Sequence, residues 1–158
     1  MLIEGRRAPD FTLPDQNGDA VSLATLRGEW VVVYFYPRAD TPGCTTQACS
    51  IRDRSADYEA AGAAVLGISP DPVAAVGKFA AKHSLRFKLL ADEAHSVAEE
   101  WGVWAEKSMY GKKYWGVLRS TFIVDPDGVV AKVFPKVSPK THDDQVLGAL
   151  DELQLAST

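Results

Sequence analysis

Apolar positions in this chain fall into two kinds of run. Between Trp30 and Pro37 the text "WVVVYFYP" is continuously apolar, β-branched and aromatic, which predicts a central strand buried on both faces of a sheet, with Pro37 ending it. "AVLGIS" repeats the pattern and "FKLLAD" reads as a shorter strand. Phe11 and Leu13 alternate with polar residues ahead of Asn17-Gly18, and Val21 and Leu23 alternate after it, which predicts a hairpin. "STFIVDPDGVVAKVF" predicts a second hairpin, turning over Asp125-Pro126-Asp127-Gly128.

The other runs have helical spacing. From Pro42 to Ala61, Cys44, Ala48, Ile51, Ser55 and Tyr58 recur at threes and fours; Thr41 suits the N-cap, Pro42 the first helical position and Gly62 the C-terminal cap. Asp71-Pro72 opens a helix with Val73, Val76, Phe79 and Ala80 on its inner face, Asp92 caps one carrying Val97 and Trp101 that stops at Gly102, and Thr141 to Leu155 predicts the last, with Val146, Leu147, Leu150 and Leu153 inward. "GVWAEKSMYGKKYWGVL" has no clean period and reads mostly as loop. A βαβ unit followed by a ββα unit predicts an α/β chain of thioredoxin-like fold, with an N-terminal β-hairpin extension and a mixed central sheet flanked by helices. In such sheets active groups gather where a strand's C-terminal end meets the next helix.

No repeat, low-complexity tract or linker divides the 158 residues, so residues 1–158 are expected to form one domain. A hydrophobic share of 46% and a charged share of 24% are ordinary for a globular chain. The net charge of -4 argues against nucleic acid or an anionic membrane as partner. No apolar run reaches the length of a membrane span, and "MLIEGRRAPDF" lacks the apolar stretch of a secretory signal. A cytoplasmic protein is expected, where two cysteines lean towards redox work or metal. His83, His95 and His142 are scattered and read as surface or helix residues, so no metal site and no cofactor are expected.

Both cysteines, Cys44 and Cys49, lie in "PRADTPGCTTQACS", at the junction of the central strand and the first helix. In the first helical turn Cys44 meets unpaired backbone N–H groups and the positive end of the helix dipole, which favour the ionised, reactive sulfur. The same N–H groups suit a peroxide, because charge develops on the departing oxygen as sulfur attacks the other. The plainer account makes Cys44 a small apolar residue in the inner stripe of the helix.

"PRADTPGC" matches the Pro-x-x-x-Thr-x-x-Cys signature of the peroxiredoxins, and "YFYPRADTPGCTTQACSIRD" resembles their bacterioferritin comigratory protein (PrxQ) branch. The resemblance continues through "VLGISPD", "LLADEAHSVAEEWGVW" and "YGKKYWGVLRSTFIVDPDG", nearly the whole chain. It implies that Cys44 is the peroxidatic nucleophile, oxidised to a sulfenic acid. Thr41 would hydrogen-bond peroxide and thiolate as well as cap the helix, and Pro37 would shield the sulfur as well as end a strand. Arg119 would set its fixed charge against the thiolate, where an arginine at a strand's start is more often a solvated surface residue. Arg38, Arg52 and Arg54 read as surface charges.

An ideal helix rises 1.5 Å and turns about 100° per residue, so residues five apart have Cα atoms roughly 8 to 9 Å apart, beyond the ~7 Å limit for a disulfide. Branch members with this cysteine spacing resolve within one chain, commonly as monomers, with thioredoxin as the usual reductant. The resemblance therefore implies that Cys49 is the resolving cysteine and that the oxidised state holds a Cys44–Cys49 disulfide, formed only if the helix unwinds. Such a bond would be strained, exposed and readily reduced by thioredoxin or a glutaredoxin-like dithiol. The bland alternative is a helix cysteine without a role. Two further functions compete: a thiol–disulfide oxidoreductase, for which the chain lacks a CxxC pair, and a redox sensor that reacts without turnover. Tyr110, Tyr114 and Trp115, among Lys107, Lys112 and Lys113, read equally as a pocket mouth, a docking surface or plain surface, and Trp104 shares that ambiguity.

Overall fold

A computed structural model describes residues 1–156 of the chain. Its centre is a five-stranded mixed sheet in the order β5-β4-β3-β8-β9. The predicted central strand is β3, Trp30–Phe35, and "AVLGIS" lies in β4, Ala63–Ser69. β4 runs parallel to β3 and to β5, Lys88–Ala91. On its other side β3 pairs antiparallel with β8, Ser120–Val124, which pairs antiparallel with β9, Val130–Phe134. The N-terminal hairpin is β1, Thr12–Pro14, with β2, Ala20–Ser22, a separate two-stranded sheet followed by a 3₁₀ turn at Leu23–Leu26.

The alternation of side chains along β3 builds the two cores. Val31, Val33 and Phe35 face one layer, with Phe11, Leu66, Ile68, Trp101 and Phe122. Val32, Tyr34 and Tyr36 face the other, with Cys44, Ala48, Ile51, Phe79, Val146 and Leu150. The first layer is covered by the N-terminal hairpin and by α4, Ser96–Glu100. Asp92 does cap α4, accepting the backbone N–H of Val97 at 3.3 Å and of Ala98 at 2.9 Å, and Trp101 follows immediately after the helix. The second layer is covered by α1, Pro42–Asp53, α3, Val73–His83, and α5, His142–Ala156.

Two expectations are corrected. The helix predicted as continuous to Ala61 breaks at Arg54 (φ -101, ψ 15) and resumes as α2, Ser55–Ala60. The apolar period runs through the break, because Ile51 and Tyr58 are buried on the same side, so hydropathy alone could not show it.

The segment read mostly as loop is a second antiparallel ribbon, β6, Trp104–Met109, and β7, Lys112–Val117. Its turn is Tyr110-Gly111, both at positive φ (52° and 77°), the backbone that a two-residue hairpin turn requires. Apart from its base, where Trp104 pairs with buried Val117, the ribbon is polar or exposed on both faces and so carries little alternation to read. Trp104 opens β6 and stacks on His95, ring centroids 4.0 Å apart and nearly parallel.

Arg52 and Arg54 lie at the surface as expected, and both are paired. The Arg52 guanidinium donates to the His83 carbonyl at 2.7 Å, and Arg54 reaches both Asp57 (2.6 Å) and Asp144 (2.9 Å). Among the histidines, His142, the first residue of α5, is buried 2.9 Å from the Thr121 hydroxyl.

Trp101 is wholly buried and makes ring contacts with Phe11, Phe35 and Phe122. Trp101→Ala is expected to lower the free energy of unfolding by about 3–5 kcal/mol, read by urea titration. A loss below about 1 kcal/mol would show that this layer tolerates a cavity better than its packing implies.

Candidate active site

The site is built where β3 ends and α1 begins. Tyr36 continues the line of β3, its N–H donating to the Ile68 carbonyl at 3.0 Å, and half-buried Pro37 turns the chain out of the sheet. The loop that follows is fastened from outside. The Ala39 N–H donates to the Asp71 carboxylate at 2.7 Å, and Asp40, in the left-handed region (φ 61°), pairs with Lys82 (2.9 Å) and His83 (3.1 Å). Hydrogen bonds from Lys82 first, then from His83, hold the Asp40 carboxyl below the usual carboxylate range.

Thr41 takes the N-cap position of α1, yet its side chain makes no capping bond. Its hydroxyl donates instead to the Arg38 carbonyl at 2.8 Å. Gly43 and Cys44 are the second and third residues of the helix, whose N–H groups have no intrahelical acceptor. The cap side chain, turned away, takes up neither of those donors.

Cys44 is buried and Cys49, one and a half turns later on the same helix, is partly exposed; both are free thiols. Arg119 stands between β7 and β8, 75 residues away in sequence, and its guanidinium reaches across to the helix. Nη2 donates to the Cys44 sulfur at 3.2 Å and Nη1 to the Gln47 carboxamide oxygen at 2.6 Å. Gly43 makes this approach possible: a Cβ there would stand 3.2 Å from Arg119 Nη2.

Thus Arg119 and Cys44 are brought together, Pro37 and Thr41 lie on the segment that leads into α1, and Cys49 is held off by the intact helix. Two further neighbours stand near the sulfur, of which Gln47 escaped the sequence reading and Lys107 was named there only within a possible pocket mouth. Gln47 lies one turn after Cys44, so its i, i+3 spacing was the available signal. Lys107, on β6, is the other. Burial, then the charge of Arg119, pull its ammonium below the ordinary lysine range, while Cys44 acts in the opposite sense, so it lies within electrostatic reach of both. Its position was hidden by the reading of β6 as loop.

A fixed guanidinium on a sulfur, beside free N–H groups at a helix N-terminus, stabilises negative charge on that sulfur and on an oxygen placed against it. The arrangement suits nucleophilic attack by Cys44 on a small polar electrophile. Among the described residues no cluster of three or more His, Cys, Asp or Glu side chains is placed to hold a metal ion.

Comparison with known proteins agrees with this chemistry. The AhpC/TSA family matches residues 5–133. The chain is 49% identical to peroxiredoxin Bcp of Escherichia coli K12 over 151 residues, 96% of this chain and 97% of that one. It is 42% identical to peroxiredoxin Bcp of Bacillus subtilis over 154 residues, 97% of this chain and 98% of the relative. The structure of the Xanthomonas campestris bacterioferritin comigratory protein, a protein studied for alkyl peroxide reduction, superposes with a TM-score of 0.88 at 35% identity, covering 95% of this chain and 98% of that one.

Proposed function

The chain belongs to the AhpC/TSA family, in the bacterioferritin comigratory protein branch of the peroxiredoxins, and on that premise we propose that Cys44 is its peroxidatic nucleophile and Cys49 its resolving thiol. The protein is a peroxidase that draws on a peroxide substrate and a reductant. The observation that carries the assignment of Cys44 is the 3.2 Å hydrogen bond from Arg119 to its sulfur at the head of α1.

The Cys44 thiolate attacks one peroxide oxygen. The S–O bond forms as the O–O bond breaks, and the departing oxygen leaves as water or alcohol after taking a proton. Arg119 and the N–H groups of Gly43 and Cys44 stabilise the charge passing from sulfur to the departing oxygen. Thr41, whose hydroxyl keeps a lone pair free after donating to Arg38, contacts the peroxide, and Pro37 screens the sulfur from water. Hydrogen peroxide and small organic hydroperoxides both fit a site that grips only the O–O unit, and the alkyl peroxide reduction studied in the Xanthomonas relative supports the second class.

In the second step the Cys49 thiolate attacks the sulfenic sulfur. An S–S bond forms, the S–O bond breaks, and hydroxide leaves as water once protonated. Both cysteines lie on α1, so this step requires local unwinding. The disulfide then passes its oxidation to an external dithiol, thioredoxin or a glutaredoxin-like protein, which restores both thiols. With both thiols on one chain, a cytoplasmic monomer completes the cycle alone. No helix among the described residues is long and apolar enough to cross a membrane.

Stopped-flow tryptophan fluorescence of the reduced protein mixed with hydrogen peroxide tests the assignment. Wild type is expected to respond in two phases, Cys49→Ser in the first only, and Cys44→Ser in neither. A Cys44→Ser variant that reacts like wild type would remove the nucleophile from the scheme. Arg119→Lys keeps a charge but gives up the fork spanning the sulfur and Gln47, and its first phase is expected to slow by about a hundredfold.

Unwinding has its own signature. Oxidised protein is expected to lose helical circular dichroism and to become sensitive to protease between residues 42 and 54. Identical spectra and cleavage patterns in the two redox states would rule the unwinding out.

A further inference from the structure

The residues that follow Cys49 are fastened to α5. Ser50, Arg54 and Tyr58 recur at intervals of four, which sets them along one side of the α1–α2 arm. All three are bound by two consecutive carboxylates in the first turn of α5. Ser50 Oγ donates to Asp143 Oδ2, Tyr58 Oη donates to Asp143 Oδ1 at 2.5 Å, and Arg54 Nη1 donates to Asp144 Oδ1 at 2.9 Å.

The clamp is seated on the central sheet. His142 Nδ1 lies 3.2 Å from Asp143 Oδ1, and its Nε2 lies 2.9 Å from Thr121 Oγ1 on β8. Asp143, His142 and Tyr58 are buried. Burial pushes the Asp143 carboxyl up, but hydrogen bonds from His142, Ser50 and Tyr58 outweigh it and hold the group below the usual carboxylate range.

Ahead of Cys49 nothing comparable exists: among the described residues, the side-chain hydrogen bonds leaving residues 42–48 of α1 go to Arg119 alone. The arm is therefore held at its two ends by unequal means. Opening the clamp would strand a buried carboxylate without donors, which is costly. Opening the head of α1 releases Cys44 and Gln47 from one half-buried arginine.

We propose that Asp143 is a positioning residue for the resolving step, confining the unwinding of α1 to residues ahead of Ser50 so that Cys49 stays on a fixed abutment and Cys44 travels to it. This rests on the Cys44–Cys49 disulfide of the preceding section. With the clamp released, unwinding runs on towards Arg54, both sulfurs sit on mobile chain, and closing the ring costs more conformational entropy.

The test uses the full chain as wild type, Ser50→Ala, Ser50→Thr and Asp143→Asn, oxidised with hydrogen peroxide. In stopped flow, Ser50→Ala and Asp143→Asn are expected to keep the first phase within about twofold and to slow the second about tenfold, with Ser50→Thr restoring it through its own hydroxyl. A second phase that is unchanged or faster in Ser50→Ala would overturn the inference, and that variant serves even where Asp143→Asn does not fold. Hydrogen exchange read by mass spectrometry should show amides 51–58 still protected in oxidised wild type and exposed in oxidised Ser50→Ala, with 42–49 exposed in both. Peptide mapping of the same oxidised samples separates the two failures. A Cys44–Cys49 bond with 51–58 unprotected in wild type sinks the abutment alone, whereas absence of that bond sinks the cycle and the abutment together.

Discussion

The contact between the Arg119 guanidinium and the Cys44 sulfur, 3.2 Å long, is the interaction on which the proposed chemistry rests, and several parts of the fold meet to make it. One partner comes from the first turn of α1, the other from the start of β8. They meet because β8 pairs with β3, placing Ser120 opposite Phe35 at the end from which the catalytic loop departs. The antiparallel register thus brings a cation to the C-terminal edge of the central strand, where the helix dipole already favours negative charge. Gly43 leaves the space that the guanidinium crosses, and Gln47 fixes its other nitrogen. Arg119 therefore arrives with its orientation set, so little reorganisation is needed as charge moves from sulfur to the departing oxygen.

That contact also governs a conflict within α1. In the proposed cycle the helix holds Cys44 in place before oxidation and surrenders it afterwards. Its first nine residues, "PGCTTQACS", hold a glycine, two threonines, two cysteines and a serine, residue types of low to middling helix propensity. Local preference does little to keep such a segment wound. Its order comes from tertiary contacts, chiefly Cys44 and Ala48 in the second core and the bonds to Arg119. Oxidation alters one of those partners: a sulfur bearing an added oxygen is larger and, once protonated, no longer an anion for the guanidinium to hold. In the proposed cycle the chemical step itself would thereby weaken the anchor that kept the helix closed. No separate trigger is needed.

The parts of this structure visible in the sequence are those whose signal is local. β3 and β4 declared themselves through β-branched runs, α3 and α5 through period, and Cys44 through a strand–helix junction with Thr41 and Pro42 at fixed offsets. What stayed hidden was either two-sidedly polar or long-range. The β6–β7 ribbon is buried only at its base, too little to impose alternation, and the one sign of its turn in the sequence was Gly111. Nothing in the spacing of Arg119 and Cys44 joins them; only resemblance to a family did. The tie from Ser50 to Asp143 spans 93 residues and left no mark on hydropathy, because a serine on a helix reads as solvent-facing whether or not a carboxylate waits behind it.

The break at Arg54 acquires meaning from the same contrast. A helix continuous to Ala61 would be one cooperative unit, and unwinding its head would tend to fray the remainder. Here the chain departs from helical geometry after Asp53, and Arg54, at the joint, is bound on one side to Asp57 in α2 and on the other to Asp144 in α5. As exposed ion pairs these contribute little stability each, but they fix where the arm bends. Tyr58, buried beyond the joint and bonded to Asp143, anchors the far side independently of anything ahead of Ser50. The break and the clamp therefore fasten the arm from Ser50 onward more firmly than the segment ahead of it, as the proposed confinement of unwinding requires. The division falls immediately after Cys49, the position where a resolving thiol gains from a mobile partner while itself standing on fixed ground.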